Sequence, residues 1–541
     1  MNQSRHFFPQ WGLNLAASVW VFLALVIPNR LDDMTLFSFL LLPLELLLIG
    51  LLLLCPQRFA KPTRIILATL ITVGIAFKLA DLITFQIYAR PFSPIFDSYL
   101  ILAGLDLLHG ATGLLRVTGI TLGSLLLILA ILASTAWALQ RLQHDLRLAP
   151  QRNATLLVVG LLGWLGAHQI GFAFAATPFY HSLAAHVIHT VDSVRDIKAF
   201  GKIVNQDELT NWPRDQLFEK LKGKDVMVVF VESYGRTLID NPDFAPHMIP
   251  LLQAQSQQLS EAGFAVRSGY LTSPTSGGIS WLAHATTLSG LWIDSQNRYD
   301  SLMTSSRYTL NRLFAEAGWR SVAVMPGITA PWPESRFYGY DQIYDAHNLG
   351  YKGLPFNWIT MPDQYTLSAF EMFERQRATR EPVMAEIALL SSHAPWTPIP
   401  RLVPWDTVAD GAVFSEQAQR GDTPEQVWQD VARVRLHYRE CIAYTISTLV
   451  SYLLQYGDDN LVVLVLGDHQ PATLVTQNPD NHDVPVHLIT RDKAVMAATS
   501  SWAWTEGLLP TESTPVWRMD RMRDQFVNAF SSNQLAITAL Q

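Results

Sequence analysis

Two carboxylates, two imidazoles and two neighbouring hydroxyls in this chain have the types and spacing for metal-assisted chemistry. Glu232 follows the apolar run Val226 to Val231, His393 closes AEIALLSSH (Ala385 to His393), and Asp468 and His469 close LVVLVLGDH (Leu461 to His469). A fourth run, VAVMPG (Val322 to Gly327), ends in a turn. Such runs are too short to cross a bilayer and suit strands buried on both faces of a parallel sheet. With the four strands parallel, their carboxyl ends share the edge where open α/β sheets place ligands. Glu232, His393, Asp468 and His469 then meet, and hard oxygen donors beside an imidazole suit one divalent cation: manganese, magnesium or zinc.

The hydroxyls lie in SPTSGGISWLAHATTLSG, Ser273 to Gly290, after a further strand expected over Ala265 to Leu271. Pro274 and the Gly277-Gly278 pair force a turn, and Ile279 to Leu288 resumes helical spacing. Thr275 and Ser276 therefore sit at or just before a helix start. Free N–H groups and the helix dipole favour an anion there and lower the cost of ionising a hydroxyl. On this segment alone such a residue reads as a cap. With a carboxylate after the first strand and Asp-His after the last, a metal-activated nucleophile accounts for all three, with Thr275 in that role and Ser276 the alternative.

The elements that must position these groups occupy only part of the chain. At 541 residues it exceeds one ordinary core. Its mean hydropathy of +0.16 is high for a soluble protein, and the apolar excess falls in the first 175 or so residues. The expected organisation is a transmembrane domain over 1–175, a juxtamembrane amphipathic linker over 176–216, and an extracytoplasmic domain over 217–541 with a mostly parallel central sheet. Five spans of about 17 to 24 residues, near the length that crosses hydrocarbon, are expected at Trp11 to Ile27, Thr35 to Leu54, Ile65 to Tyr88, Val117 to Leu139 and Ala154 to Ala173. Arg58, Lys61 and Arg64, with Arg141, Arg147 and Arg152, set the second and fourth connections and the N-terminus on the cytoplasmic side, and everything after Ala173 outside.

Within the third connection, Pro94 to Leu108 has the spacing of an interfacial helix. Glu45, Lys78 and Asp81 fall inside spans, as an internal ion pair or interhelical hydrogen bonds that fix packing, or as a polar pocket for a lipid headgroup or carrier. His181, His186 and His189 find no carboxylate at matching spacing and read as part of an amphipathic helix. The net charge of -7, without a basic cluster, excludes a nucleic-acid partner. Cys55 and Cys441 fall in different parts of the chain, so neither a disulfide framework nor a cysteine zinc site is expected.

The order VESYG, a Thr-bearing turn opening a helix, SSHAPW and LGDHQP resembles membrane-bound members of the alkaline phosphatase and sulfatase superfamily: lipoteichoic acid synthase, phosphoglycerol transferases and phosphoethanolamine transferases. The resemblance covers nearly the whole chain. It implies a sulfatase-like α/β fold behind five spans, on the outer side of a bacterial cytoplasmic membrane. By position it makes Glu232, Thr275, Asp468 and His469 metal ligands, Thr275 the residue that takes up the phosphoryl group, and His393 a contact to substrate phosphate.

ESRFYGYDQIYD, Glu334 to Asp345, resembles the segment after the third strand, where Trp332 or Arg336 touches the headgroup; packing of this aromatic loop on the sheet is the alternative. The implied activity is transfer of phosphoglycerol or phosphoethanolamine from a phospholipid donor to an envelope glycan or lipid acceptor through a phospho-threonine. Hydrolysis on the same site, or a non-catalytic assembly module, are the alternatives. The segment lacks the Cys-x-Pro-x-Arg pattern of sulfatases, which disfavours sulfate esters, and it lacks the cysteine pairs common in phosphoethanolamine transferases.

Overall fold

The computed structural model describes residues 10–88, 91–94, 97 and 114–532. The chain divides into two compact units, the boundary falling between Asp196 and Ile197.

The first unit is helical: α1 (Gln10–Val26), α2 (Leu44–Leu53), α3 (Gln57–Tyr88), α4 (Leu114–Leu146), α5 (Pro150–Gln169) and most of α6 (Pro178–Ile203). Among the described residues only two helical stretches, Gln57–Ile87 and Val117–Leu146, are long and apolar enough to cross a membrane, against the five expected. The reasons are local. Helix α1 stops after 17 residues, short of Pro28. The second segment is interrupted at Pro43, which leaves α2 with 10 residues. Helix α5 has polar residues at both ends, Gln151, Arg152 and Asn153 then His168 and Gln169, so its apolar stretch is shorter than a span. Residues 98–108 of the expected interfacial helix lie outside the described residues.

Lys78 and Asp81 make hydrogen bonds to other helices, one of the expected alternatives, and not an ion pair with each other. Lys78 donates to the Leu25 carbonyl at 2.9 Å. Buried Asp81 accepts from Asn29 Nδ2 at 2.7 Å and from the Phe92 amide at 2.8 Å, and meets His186 Nε2 at 3.2 Å. His186 thus has the carboxylate partner that local spacing withheld, 105 residues away in sequence.

The second unit is built on a nine-stranded sheet. Its strands are β1 (Asp225–Val231), β2 (Ala265–Thr272), β3 (Arg320–Met325), β4 (Gln342–Asp345), β5 (Val383–Leu389), β6 (Leu461–Gly467), β7 (Asp483–Thr490), β8 (Thr505–Glu506) and β9 (Val516–Arg518). The spatial order is β8-β2-β7-β6-β1-β5-β3-β4, with β9 also on β2. The central strands β6, β1, β5 and β3 are parallel, as their continuous apolar runs require. The sheet as a whole is mixed rather than mostly parallel. Strand β7 runs antiparallel to β6 and to β2, and β8 runs antiparallel to β2.

Every residue of β1, β5 and β6 is buried. Two apolar layers cover the sheet. One includes Met248 and Leu252 of α7 (Ala245–Glu261) and much of α10 (Val431–Tyr456); the other includes Leu282 and Leu288 of α8 (Ser280–Ser289), Leu313 and Phe314 of α9 (Leu310–Glu316), and Phe526 of α11 (Met522–Phe530). Both apolar faces of the sheet are thereby removed from water, which is the main driving force for this unit.

Candidate metal centre and active site

Strand β1 delivers Glu232 and β6 delivers Asp468 and His469 to one edge. Their donor atoms lie within 4.8 Å of one another, and all three residues are buried. His469 Nε2 stands 3.2 Å from Glu232 Oε1 and 3.8 Å from Asp468 Oδ2. The far ring nitrogen, Nδ1, lies 2.8 Å from the Gln470 carbonyl, an acceptor only, so Nδ1 carries the proton and Nε2 faces the carboxylates.

Backbone contacts fix the rest. Asp468 Oδ1 accepts from the amides of Ser233 at 2.8 Å and His469 at 2.7 Å. Ser233 is left-handed (φ 58°), a conformation that costs of order 1–3 kcal/mol outside glycine. It is held by Tyr438 on α10, whose hydroxyl donates to the Ser233 carbonyl at 2.9 Å. Ser392 Oγ, beside His393, donates to the Glu232 carbonyl at 2.6 Å.

These groups titrate together. Burial opposes ionisation of Glu232, but the imidazoles of His393 and His469 outweigh it and hold the carboxyl well below its usual range. Burial and the Glu232 charge push Asp468 up to about 7. Burial disfavours the charged form of His469, yet Asp468 and Glu232 raise it to about 9. Two carboxylates thus share one imidazolium, and among the described residues no lysine or arginine pairs with either. A buried cluster with this excess of negative charge fits a divalent cation, with one nitrogen and carboxylate oxygens as donors.

The hydroxyl facing this cluster is that of Ser280. Its Oγ lies 2.9 Å from Glu232 Oε2 and 3.1 Å from His469 Nε2. Ser280 is the first residue of α8; Ile279 before it is left-handed (φ 63°) and supplies no side-chain cap, while the Leu282 amide donates to the Ile279 carbonyl at 3.0 Å. Thr275, assigned from sequence, is turned elsewhere: its Oγ1 donates to the Gly278 carbonyl at 2.7 Å. Ser276 pairs through its backbone with Gln470, and the Gly277 amide donates to the Gln470 carbonyl at 2.8 Å. The turn therefore braces the residue after His469, and the hydroxyl that faces the cluster lies five residues after Thr275.

Of the other residues named from sequence, His393 adjoins Glu232, and its ring stacks on Trp358 at 4.1 Å between centroids. Trp332 packs against Tyr338 and Tyr340, at 5.8 and 6.0 Å, in the manner of a loop packing on the sheet. Arg336 is exposed. Neither contacts the Glu232, Asp468 and His469 group through a hydrogen bond or ion pair. Ser280 and Trp358 were not singled out in the sequence; the signal for Ser280 was its place as the first hydroxyl after the double glycine, at the start of the helical spacing.

No family model and no curated protein matches the chain. Among solved structures it is similar to the lipoteichoic acid synthase LtaP from Listeria monocytogenes (15% identity, TM-score 0.39, covering 62% of this chain and 79% of that one). It is also similar to the phosphoglycerol transferase GacH from Streptococcus pyogenes, solved in complex with sn-glycerol-1-phosphate (12%, 0.38, 62% and 80%). The C-terminal periplasmic domain of EptC from Escherichia coli matches as well (13%, 0.38, 60% and 84%).

Proposed function

We propose that this protein is a metal-dependent phosphotransferase that moves a phospho-headgroup, phosphoglycerol or phosphoethanolamine, from a phospholipid to a glycan or lipid acceptor of the cell envelope. The observation that carries the reading is the buried Glu232, Asp468 and His469 cluster meeting the Ser280 hydroxyl at a helix start. Glu232, Asp468, His469 and Ser280 Oγ would hold a divalent cation, which when bound supplies positive charge that favours the ionised hydroxyl and offsets charge at phosphorus.

Ser280 Oγ attacks the phosphodiester phosphorus. The bond to the diacylglycerol oxygen breaks, and the headgroup phosphate is left on Ser280. An acceptor hydroxyl then attacks the same phosphorus, the bond to Ser280 Oγ breaks, and the serine leaves in the ionised form in which it attacked. The imidazole of His393 holds the phosphate oxygens in both steps. The two apolar helices support membrane anchoring, and the loop charges support an outer position for the second unit.

The test is incubation of the purified full-length protein with headgroup-labelled phosphatidylglycerol and phosphatidylethanolamine, with manganese and an envelope extract. Diacylglycerol release with label on a glycan or lipid is the expected result. Free headgroup phosphate without an adduct identifies hydrolysis instead.

A further inference from the structure

Glu386 is a buried acid that the proposed transfer does not use. Glu386 lies in the middle of β5, paired in register with Val228 on one side and Ala323 on the other, and is only 1% exposed. A carboxyl at the centre of a sheet is costly unless donors surround it. Here three do: His284 Nδ1 at 2.8 Å to Oε1, Asn311 Nδ2 at 3.4 Å and the Tyr340 hydroxyl to Oε2.

A carboxylate only accepts, so His284 presents its proton at Nδ1 and leaves Nε2 as the reactive nitrogen. Nε2 has no partner among the described residues, and the side chain keeps 13% of its surface open. The ring stacks flat on Phe230, at 3.7 Å and 15°. Rotation is therefore blocked by a ring on one face and a carboxylate on one edge.

Position links this imidazole to the reaction. His284 is four residues after Ser280 on α8, so the two side chains share a helix face with Cβ atoms about 6 Å apart, and helical side chains lean toward the N-terminus. Phe230 is the second-last residue of β1, and Glu232 is the first residue beyond that strand. Helix and strand thus set His284 beside the Ser280 and Glu232 pair, within the span of one phosphodiester. The titratable groups facing it are Glu386, Tyr340 through that carboxylate, and Asp468, whose carboxyl feels the charge of the imidazole.

We propose that His284 is the acid–base catalyst for the oxygen that leaves or reaches phosphorus, with Glu386 its positioning residue; this rests on the phosphotransfer reading above. In the first half-reaction the bond from phosphorus to the diacylglycerol oxygen breaks, and that oxygen takes the Nε2 proton of the imidazolium. In the second, neutral Nε2 takes the proton of the acceptor hydroxyl as it bonds to phosphorus and Ser280 departs. The imidazole ends as it began, and no outside reagent is needed.

The test compares leaving groups. Wild type, His284→Gln and Glu386→Gln are assayed in full-length form, with manganese, on the phospholipid that wild type cleaves and on bis(4-nitrophenyl) phosphate, whose leaving phenol needs no proton. Loss of an acid catalyst predicts a fall of about 10²-fold for His284→Gln on the lipid and of less than about fivefold on the aryl ester. Glu386→Gln should shift in the same sense by a smaller factor, which keeps the test open if His284→Gln fails to fold. Equal losses on both substrates, or none on either, overturn the proposal. A wild type that cleaves neither substrate overturns the phosphotransfer reading itself, and this inference with it.

Discussion

At the residue scale the decisive feature is the charge balance at Glu232, Asp468 and His469. In the metal-free protein His469 keeps its proton up to about pH 9 because the charges of Asp468 and Glu232 outweigh its burial, and Asp468 keeps its proton up to about pH 7 because of burial and the Glu232 charge. A metal must displace those protons. Manganese affinity, read by calorimetry, should therefore rise steadily from pH 6 to 9; a flat profile would mean that these groups are not the ligands. Glu232→Gln should abolish high-affinity binding, because it leaves Asp468 and His469 alone.

The cluster of Glu232, Asp468 and His469 was legible in the sequence because its residues stand at the ends of continuous apolar runs. The hydroxyl that faces it was not. Thr275 and Ser280 flank the same double glycine, and only the fold of that turn decides which hydroxyl faces the metal donors; Thr275 spends its proton on Gly278.

At the element scale, the edge of the sheet leaves almost no room around the strand ends. A Cβ on Gly467, the last residue of β6, would come within 2.0 Å of the Tyr234 carbonyl oxygen. Gly467→Ala should cost about 1–3 kcal/mol and displace Asp468, so metal affinity and thermal stability should fall together. Strand β7 carries a different liability. Buried His487 accepts from the Tyr234 hydroxyl at Nε2 (3.1 Å) and donates from Nδ1 to Ser268 Oγ (2.6 Å), and burial pushes it down to about 3.

The folded-state value of His487 lies below the unfolded 6.5, so the unfolded chain binds the extra proton. Stability is then fully present above pH 6.5 and is lost as pH falls toward 3, by up to the order of 5 kcal/mol. His487→Gln, which does not titrate, should flatten the fall in melting temperature between pH 7 and 4; an unchanged slope would remove His487 from the account. The central parallel strands could be read from their unbroken apolar runs. The reversed direction of β7 could not, because composition marks a strand as buried and is silent on which way it runs.

At the scale of the whole molecule, a helical unit with two apolar helices of membrane-crossing length precedes an α/β unit with a buried polar centre. The protein should stay in the membrane pellet after alkaline carbonate extraction, and release into the supernatant would refute membrane insertion. The sequence overstated the number of spans because apolar content was counted through interruptions that the backbone respects, Pro43 above all. The layout of an apolar unit followed by a mixed one was readable from composition alone, since burying a 20-residue apolar helix in lipid and closing a sheet of short apolar strands leave different run lengths.

The central claim is that Ser280 carries the phosphoryl group. Intact-mass analysis of the full-length protein, as wild type, Ser280→Ala and Thr275→Ala, after incubation with a phospholipid panel and manganese, tests it most directly. The account predicts a headgroup-phosphate adduct on wild type and on Thr275→Ala and none on Ser280→Ala. An adduct that persists on Ser280→Ala and vanishes from Thr275→Ala would contradict it.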